Sequence, residues 1–515
     1  MRKGSSDLLG NSAWNATAFV VAVALNLAIL PFALFRLGPG SLGVAGLVTA
    51  SIAPALVFSN SLALSTAREL ARRLAPTDLK DAQRLFATAV ALAVGLGGAI
   101  AVFFCLAGAP LARIAFHLSG PLADDLGLAF VFTGCGWLCQ CVSAVFLTLF
   151  SARQDYRRIA CISIISTVCT TAAMLILIPL APRASTFLGC QASGFAMSLF
   201  LTLAWSRHSL GEWLARPAFH RDALHRLVRL GGWQLAAQGG ALLAAQADRY
   251  LLGALLLPQF VGFYTVAQRL QEAMYIGVLK VGETLFPFFS SLHQETEDRK
   301  IDLLLRSSWI LNVLAASALG GLIPVAGPLL HLWTGAEVAA EAQQVLVVLC
   351  VAAILGSSVN VFAFYLLAQG RSRDTALISL VTGTFTLATS AIALPLFGWR
   401  AAGCSTCVGM LAQIALTVFL LKRSSSLAGM GTRVFHLVLM PLGLGIVTAL
   451  LLRYGLDCAK PDLVAAWWSV GSVASLSAAA ILVVAVAASQ LGPYGALCRR
   501  DLRAIVARFA PFGAV

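Results

Sequence analysis

The chain has 515 residues, 59% of them hydrophobic and only 11% charged, where an ordinary soluble domain carries roughly 25% charged residues. That balance excludes a soluble enzyme or soluble binding module, because no soluble core needs so much apolar surface. The formal net charge of +14 raises nucleic acid as a partner, and the positions of the charges decide against it.

Crossing a hydrocarbon layer takes about 20 mainly apolar residues in a helix, which satisfies its own backbone polar groups. In chain order the sequence predicts spans at Ala13–Phe35, Ser41–Leu64, Leu85–Leu106, Leu126–Phe150, Ile159–Leu180 and Phe187–Trp205. After a polar segment a second series follows at Gly232–Leu257, Phe260–Ser290, Trp309–Leu332, Ala342–Leu367, Ala376–Phe397 and Ala402–Leu421. Phe435–Leu452 and Val464–Ala488 complete the set. The predicted fold is an all-α polytopic membrane protein of about 14 transmembrane helices.

Lys and Arg resist translocation and therefore gather in short cytoplasmic loops. With the N-terminus inside, alternate loops hold Arg2 and Lys3, the cluster from Arg68 to Arg84, Arg153 with Arg157 and Arg158, and the cluster from Arg207 to Arg229. The pattern continues with Arg299, Lys300 and Arg306, then Arg371 and Arg373, then Lys422, Arg423 and Arg433, and finally the tail from Arg499 to Arg508. The intervening outer loops hold only Arg36, Arg113, Arg183, Arg400, Arg453 and Lys460. The basic balance is thus a topology signal that places both termini in the cytoplasm, and no nucleic-acid partner is expected. The apolar run behind Arg2 and Lys3 is too long for a signal-peptide core, so the first span is expected to stay in the mature protein.

Cys135, Cys139 and Cys141 cluster, and Cys404 with Cys407 forms a C-x-x-C. All lie inside predicted spans with no histidine beside them, so they read as small packing residues and no metal is expected. Internal repetition is more informative. Pro39 and Gly43 recur as Pro258 and Gly262, and Phe146, Leu149 and Arg153 recur as Phe364, Leu367 and Arg371, at nearly the same offset. One duplication explains both, giving two parallel six-helix lobes plus a C-terminal helix pair. The division expected is residues 1–208 for the first lobe, 209–424 for the second with an amphipathic linker ahead of it, and 425–515 for the last two helices and a basic cytoplasmic tail. The segments Ser65–Arg84 and Ser209–Arg229 mix apolar and basic residues as surface-lying helices do.

Several strings carry a family resemblance. Leu37 to Gly43 with Gly46, Asp248-Arg249-Tyr250-Leu251-Leu252-Gly253, Val261-Gly262-Phe263-Tyr264, Ala267-Gln268-Arg269-Leu270 and Phe286-Pro287 occur in order. Leu332-Trp333-Thr334-Gly335, Ala368-Gln369-Gly370-Arg371 and Gly398-Trp399-Arg400-Ala401-Ala402 extend the set. From Asn11 to Lys422 the chain resembles Wzx-type oligosaccharide flippases of the multidrug/oligosaccharidyl-lipid/polysaccharide exporter superfamily. The resemblance implies a two-lobe, alternating-access carrier in the bacterial inner membrane, with no catalytic activity. Its implied cargo is an undecaprenyl-pyrophosphate-linked oligosaccharide, an O-antigen or exopolysaccharide repeat unit, moved from the cytoplasmic to the periplasmic leaflet. No cofactor is implied beyond a driving proton or sodium gradient; the implied partners are membrane lipid, a polysaccharide polymerase and a chain-length regulator. A multidrug or cation antiporter of the same superfamily and a peptidoglycan-precursor flippase are the alternatives. A membrane glycosyltransferase or polymerase fits less well, because the longest outer loop, Ala107 to Asp125, is too short for a catalytic domain.

Charge inside the spans is confined to Arg249, Arg269 and Lys280 with the carboxylates Asp248, Glu272 and Glu283. A lipid-facing charge at mid-bilayer costs on the order of 3 kcal/mol, so these groups should face protein or water and are functional candidates. At helical spacing Arg269, Glu272, Lys280 and Glu283 share one arc, and Gln234, Gln238, Asp248 and Arg249 share another. Arginine grips a pyrophosphate through two parallel hydrogen bonds, which makes Arg249 and Arg269 the preferred ligands, with Lys280 as a point charge. Asp248, then Glu272 and Glu283, are the ion-coupling candidates. Two plainer readings stay open: Lys280 and Glu283 at the cytoplasmic interface, and Asp248–Arg249 and Arg269–Glu272 as structural ion pairs. Asn15, Asn26 and Asn360 are the remaining candidates for contacting sugar hydroxyls, alongside the helix-linking role common to such residues. Pro54 and Pro287 are expected to kink their helices.

Overall fold

A computed structural model describes residues 4–72, 79–114, 120–209, 217–283, 295–424, 430–458 and 466–491, together with 285, 289, 494–496 and 498–500. Among them the regular structure is helical. Contacts divide the chain into two compact units, Met1–Thr265 and Val266–Val515.

The first unit begins with α1, Gly4–Arg72, which is interrupted at Gly38 (φ 75, ψ 165). That backbone conformation is essentially restricted to glycine, and the Pro39 that follows is preorganised to start a helix. α1 is therefore two helices joined end to end, and it contains the first two predicted spans. α2 (Leu79–Ile114), α3 (Pro121–Ala152), α4 (Tyr156–Leu180), α5 (Ala184–Ser209) and α6 (Arg221–Leu255) follow, and the unit closes with the first turns of α7 (Pro258–Glu283). α3 lies against α1, α2 and α5. Its Gly136 faces Ala192 so closely that a β-carbon there would meet Ala192 at 2.8 Å. Such small residues let helices associate where lipid supplies no hydrophobic drive. Polar contacts do the rest: Ser143 Oγ lies 3.1 Å from Ser198 Oγ and 3.2 Å from Thr202 Oγ1, and Asp125 accepts from the Ala184 amide at 3.0 Å, capping α5.

In the second unit, α7 is followed by α8 (Glu297–Gly320), α9 (Ala326–Thr334), α10 (Ala336–Ala368), α11 (Ser372–Phe397) and α12 (Cys404–Ser424). α13 (Met430–Val434), a π-helical turn over Phe435–Leu439, α14 (Met440–Cys458) and α15 (Trp467–Leu491) complete it. α11 ends at Gly398 (φ 75, ψ −176), again a backbone conformation that only glycine adopts readily. α10 contacts α8, α9 and α12, and the C-terminal pair docks on α8. Trp309 donates to Ser489 Oγ at 2.9 Å and Ser317 to the Ala478 carbonyl at 2.9 Å. Fully buried Asn312 on α8 holds three elements: the hydroxyls of Ser357 and Ser358 lie 2.8 Å from its Oδ1, and its Nδ2 reaches the Val438 carbonyl at 3.4 Å. Asn312→Ala strands buried polar groups and is expected to cost about 2 kcal/mol, read from the thermal midpoint of detergent-solubilised protein.

The core is apolar, but many large apolar side chains also lie on the outside. Leu180 is 76% exposed, Phe397 75% and Trp468 91%, while Thr88, Thr202, Ser308, Ser358 and Thr386 are buried. Polar side chains placed within the core and large apolar ones on the outside suit a lipid solvent. Eleven helical stretches among the described residues are long and apolar enough to cross a membrane, and one, Trp14–Leu70, runs 57 residues and holds two predicted spans. The predicted spans at α6 and α7 fall outside that set, since Gln234, Gln238, Gln246, Asp248 and Arg249 dilute one and Gln268, Arg269, Gln271 and Glu272 the other.

Ser65–Arg72 is continuous with α1, Leu79–Arg84 with α2 and Arg221–Arg229 with α6, while 217–220 is not helical. One local expectation is corrected. The span predicted at Trp309–Leu332 is two helices. α8 starts at Glu297 because Thr296 caps it, accepting from the Arg299 amide at 3.4 Å, and it stops at Gly320 before a separate α9. Pro287 lies outside the described residues.

Candidate functional site

The duplicated Pro/Gly strings come together in the first unit. Pro39 opens the second half of α1 and Pro258 opens α7, and one turn further on the two helices cross at Gly43 and Gly262. A β-carbon at Gly43 would overlap the carbonyl of Pro258, and one at Gly262 would overlap the carbonyl of Pro39. The contact is reciprocal. Gly46 continues it, 2.8 Å from Thr265 Oγ1 for an added β-carbon.

This crossing positions the charged turn of α6. Asp248 and Arg249 are buried, 1% and 3% exposed. Tyr264 of α7 donates to Asp248 Oδ2 at 3.3 Å, and Arg249 NH1 donates to Gln246 Oε1 at 3.3 Å. Tyr250 has a different task. Pro54 has no amide hydrogen to offer the carbonyl four residues back, Ala50, and the Tyr250 hydroxyl donates to that oxygen at 2.6 Å. The side chain thus satisfies a backbone group that a proline leaves open inside the membrane.

Beyond the unit boundary α7 carries a second group. Arg269 is half-exposed and pairs with Glu272 at 3.7 Å, while Gln268 Nε2 donates to Glu272 Oε1 at 2.9 Å. Asn360 of α10 donates to the Tyr275 hydroxyl and, at 3.1 Å, to the Gly356 carbonyl, joining α10 to α7. Lys280 is exposed in the last turn of α7. Asn15 is exposed on α1, and Gln238 is half-buried on α6. The side chains of Gln234 and Glu283 lie outside the described residues.

Asn26 leads to a feature that charge counting does not detect. Within the first unit α1, α3, α4 and α5 surround a cavity of about 520 Å³. Asn26, Gln140, Ser143, Gln191 and Ser198 contribute from three of the helices, and α4 adds Ser163, Ser166, Thr167, Thr170 and Thr171. Spaced three and four apart, the α4 residues form one helix face, while Ile165, Val168 and Ile176 face outward on the other. The Ser/Thr periodicity was visible in the sequence; its convergence with α1, α3 and α5 was not. Among the described residues no group of His, Cys, Asp and Glu could hold a metal ion.

The profile of a family described as "polysaccharide biosynthesis protein" matches residues 36–338. The chain belongs to that family. The match takes in the Gly43–Gly262 crossing and both charged groups of α6 and α7. No curated protein matches this family member in sequence. Among solved structures, its fold is similar to that of the lipid II flippase MurJ in an inward closed conformation, with a TM-score of 0.72 and 9% identity over 96% of this chain and 100% of that one. A multidrug resistance MATE transporter of the MOP superfamily, inward-facing, aligns with a TM-score of 0.69 and 15% identity over 79% of this chain and 96% of that one. A MOP superfamily transporter from Pyrococcus furiosus gives 0.59 and 15% over 80% and 95%. At such identities the likeness is one of fold. This member of the polysaccharide biosynthesis family is a multi-pass integral membrane protein built on a transporter fold.

Proposed function

We propose that the protein is a flippase that carries a polyprenyl-pyrophosphate-linked oligosaccharide from the cytoplasmic to the periplasmic leaflet of the bacterial inner membrane, with both termini in the cytoplasm. The observation that carries this reading is the union of a polysaccharide biosynthesis family match with a transporter fold. A family that builds polysaccharide needs its lipid-linked intermediates moved across the membrane, and a helical carrier is the kind of body that moves them.

In this reading the lipid tail stays in the bilayer and the head group is held by polar residues of the carrier. Arg269, half-exposed with a charge that Glu272 only partly engages at 3.7 Å, is the better placed arginine to grip phosphate oxygens. Lys280, Asn15, Gln234, Gln238 and Asn360 supplement it. Asp248, buried and hydrogen-bonded to Tyr264, couples transport to a proton or sodium gradient, with Glu272 and Glu283 as the other candidates. A polysaccharide polymerase and a chain-length regulator act on the delivered product.

The test is reconstitution. Purified protein in liposomes is expected to translocate a fluorescent polyprenyl-pyrophosphate oligosaccharide, measured as loss of accessibility to a membrane-impermeant sugar-oxidising reagent. Translocation of peptidoglycan lipid precursor at equal rate moves the reading to the precursor flippase. Dye efflux without lipid movement moves it to the antiporter.

A further inference from the structure

The cavity among α1, α3, α4 and α5 has a chemical character that its hydrogen bonds define. On α4, Ser166 donates to the Ile162 carbonyl at 2.8 Å, Thr167 to Ser163 at 2.8 Å, Thr170 to Ser166 at 2.8 Å and Thr171 to Thr167 at 2.9 Å. Asn26 likewise donates to the Ala22 carbonyl at 2.7 Å. Each hydroxyl has one proton and two lone pairs, so a hydroxyl whose proton is committed to its own helix presents only acceptor oxygen. The α4 wall is therefore a ladder of acceptors. Gln140 and Gln191 add amides, which offer donors as well as acceptors.

This lining selects its guest. The cavity walls hold no charged or titratable side chain among the described residues, so a phosphate finds no cation and meets oxygen lone pairs of its own sign, and a transferable proton finds no base. A bare metal cation needs a tight cage of oxygens, and about 520 Å³ is the space of a small organic molecule. A neutral polyol fits on each count. Its hydroxyl protons meet acceptors, and the apolar faces of its rings meet Ile29, Leu147, Met174 and Phe195.

We propose that this cavity is a subsite for neutral sugar units, separate from the arginines that take the pyrophosphate. As an assignment to the transported glycan it rests on the flippase reading; as a sugar site it stands by itself. Gly194 of α5 shapes it, since a β-carbon there would collide with Thr170 Oγ1.

The experiment uses the full-length protein in lipid nanodiscs, with maltose, lactose and N,N′-diacetylchitobiose as probes followed by saturation-transfer NMR and calorimetry. The informative variant is the double substitution Thr167→Val and Thr171→Val, which keeps side-chain shape and removes two acceptors; both hydroxyls donate within their own helix and neither is the one packed on Gly194, so folding is expected to be unchanged by thermal melt. At least one sugar is expected to bind, to weaken about 10-fold or more in the double variant, and to be unaffected by inorganic pyrophosphate, sodium chloride or Arg269→Ala. Absence of binding by all the sugars, equal binding in the double variant, or displacement by pyrophosphate or sodium overturns the proposal. The two readings fail separately. Sugar binding that depends on Thr167 and Thr171 without lipid translocation removes the flippase and leaves the sugar site. Translocation with sugar binding and transport untouched by the double variant removes the subsite and leaves the flippase.

Discussion

Gly43→Ala and Gly262→Ala are each expected to cost about 3 kcal/mol, or to prevent accumulation of folded protein. The cost comes from what surrounds the added methyl group. At Gly43 the neighbours are the carbonyl of Pro258 and the amide nitrogen of Gly262, the latter at 3.0 Å, and at Gly262 they are the carbonyl and α-carbon of Pro39. These are backbone atoms at the starts of two helices, so no rotamer change relieves the overlap, and the helices must separate along their length. Gly40 is the internal control. It lies in the same turn with nothing within 4 Å of an added β-carbon, and Gly40→Ala is expected to be neutral or slightly stabilising, since alanine is the better helix former. Because Gly43 and Gly262 share one crossing, the double variant should lose less than the sum of the singles. Thermal unfolding of the purified variants in detergent is the measurement, and a Gly43→Ala protein as stable as Gly40→Ala contradicts the crossing.

Arg249 of α6 and Arg269 of α7 are expected to separate into different phenotypes. Arg249 is 3% exposed and its neighbour Asp248 is 1% exposed, so removing the cation leaves a carboxylate in a low-dielectric site with less compensation. Arg249→Ala should cost on the order of 3 kcal/mol and appear chiefly as lost folded protein. Arg269 sits at the other extreme. Its side chain is 48% exposed, and its contact with Glu272 at 3.7 Å contributes at most about 1 kcal/mol to stability. Arg269→Ala should therefore leave the melting curve nearly unchanged. Loss of a charge-assisted contact to pyrophosphate lowers translocation about 10- to 100-fold, and Arg269→Lys recovers part of it, because lysine keeps the charge but not the two-pronged geometry. Equal translocation by wild type and Arg269→Ala in liposomes removes that arginine from the substrate path.

Much of the fold was legible because the membrane imposes a one-dimensional rule. Runs of apolar residues such as Ile159–Leu180 and Ala376–Phe397 appear as α4 and α11 almost as read. The boundaries failed where local chemistry outweighed hydropathy. The Thr296 cap started α8 early, and Gly38 let α1 run through what reads as a loop. The recurrence of Pro39 and Gly43 as Pro258 and Gly262 was legible, and the structure adds that each string packs on the other. Within the candidate site, Asn26 is legible from its polarity, whereas the part played by the hydroxyls of α4 is not, since serine and threonine are common in transmembrane helices and a single helix does not reveal what its polar face meets.

By itself the sequence determined that this protein spans a membrane many times, that Pro39 and Gly43 recur as Pro258 and Gly262, and that the charges within its long apolar stretches fall on two consecutive segments. Each follows from sums and spacings along the chain, which folding does not alter. Only the tertiary structure decided that Asp248 and Arg249 are buried while Arg269 is open, that Tyr250 completes the carbonyl left by Pro54, and that polar faces of four helices converge on one cavity. Burial and convergence depend on which helices become neighbours, and that is set by close contacts such as those at Gly43, Gly136 and Gly262, between residues far apart in the chain.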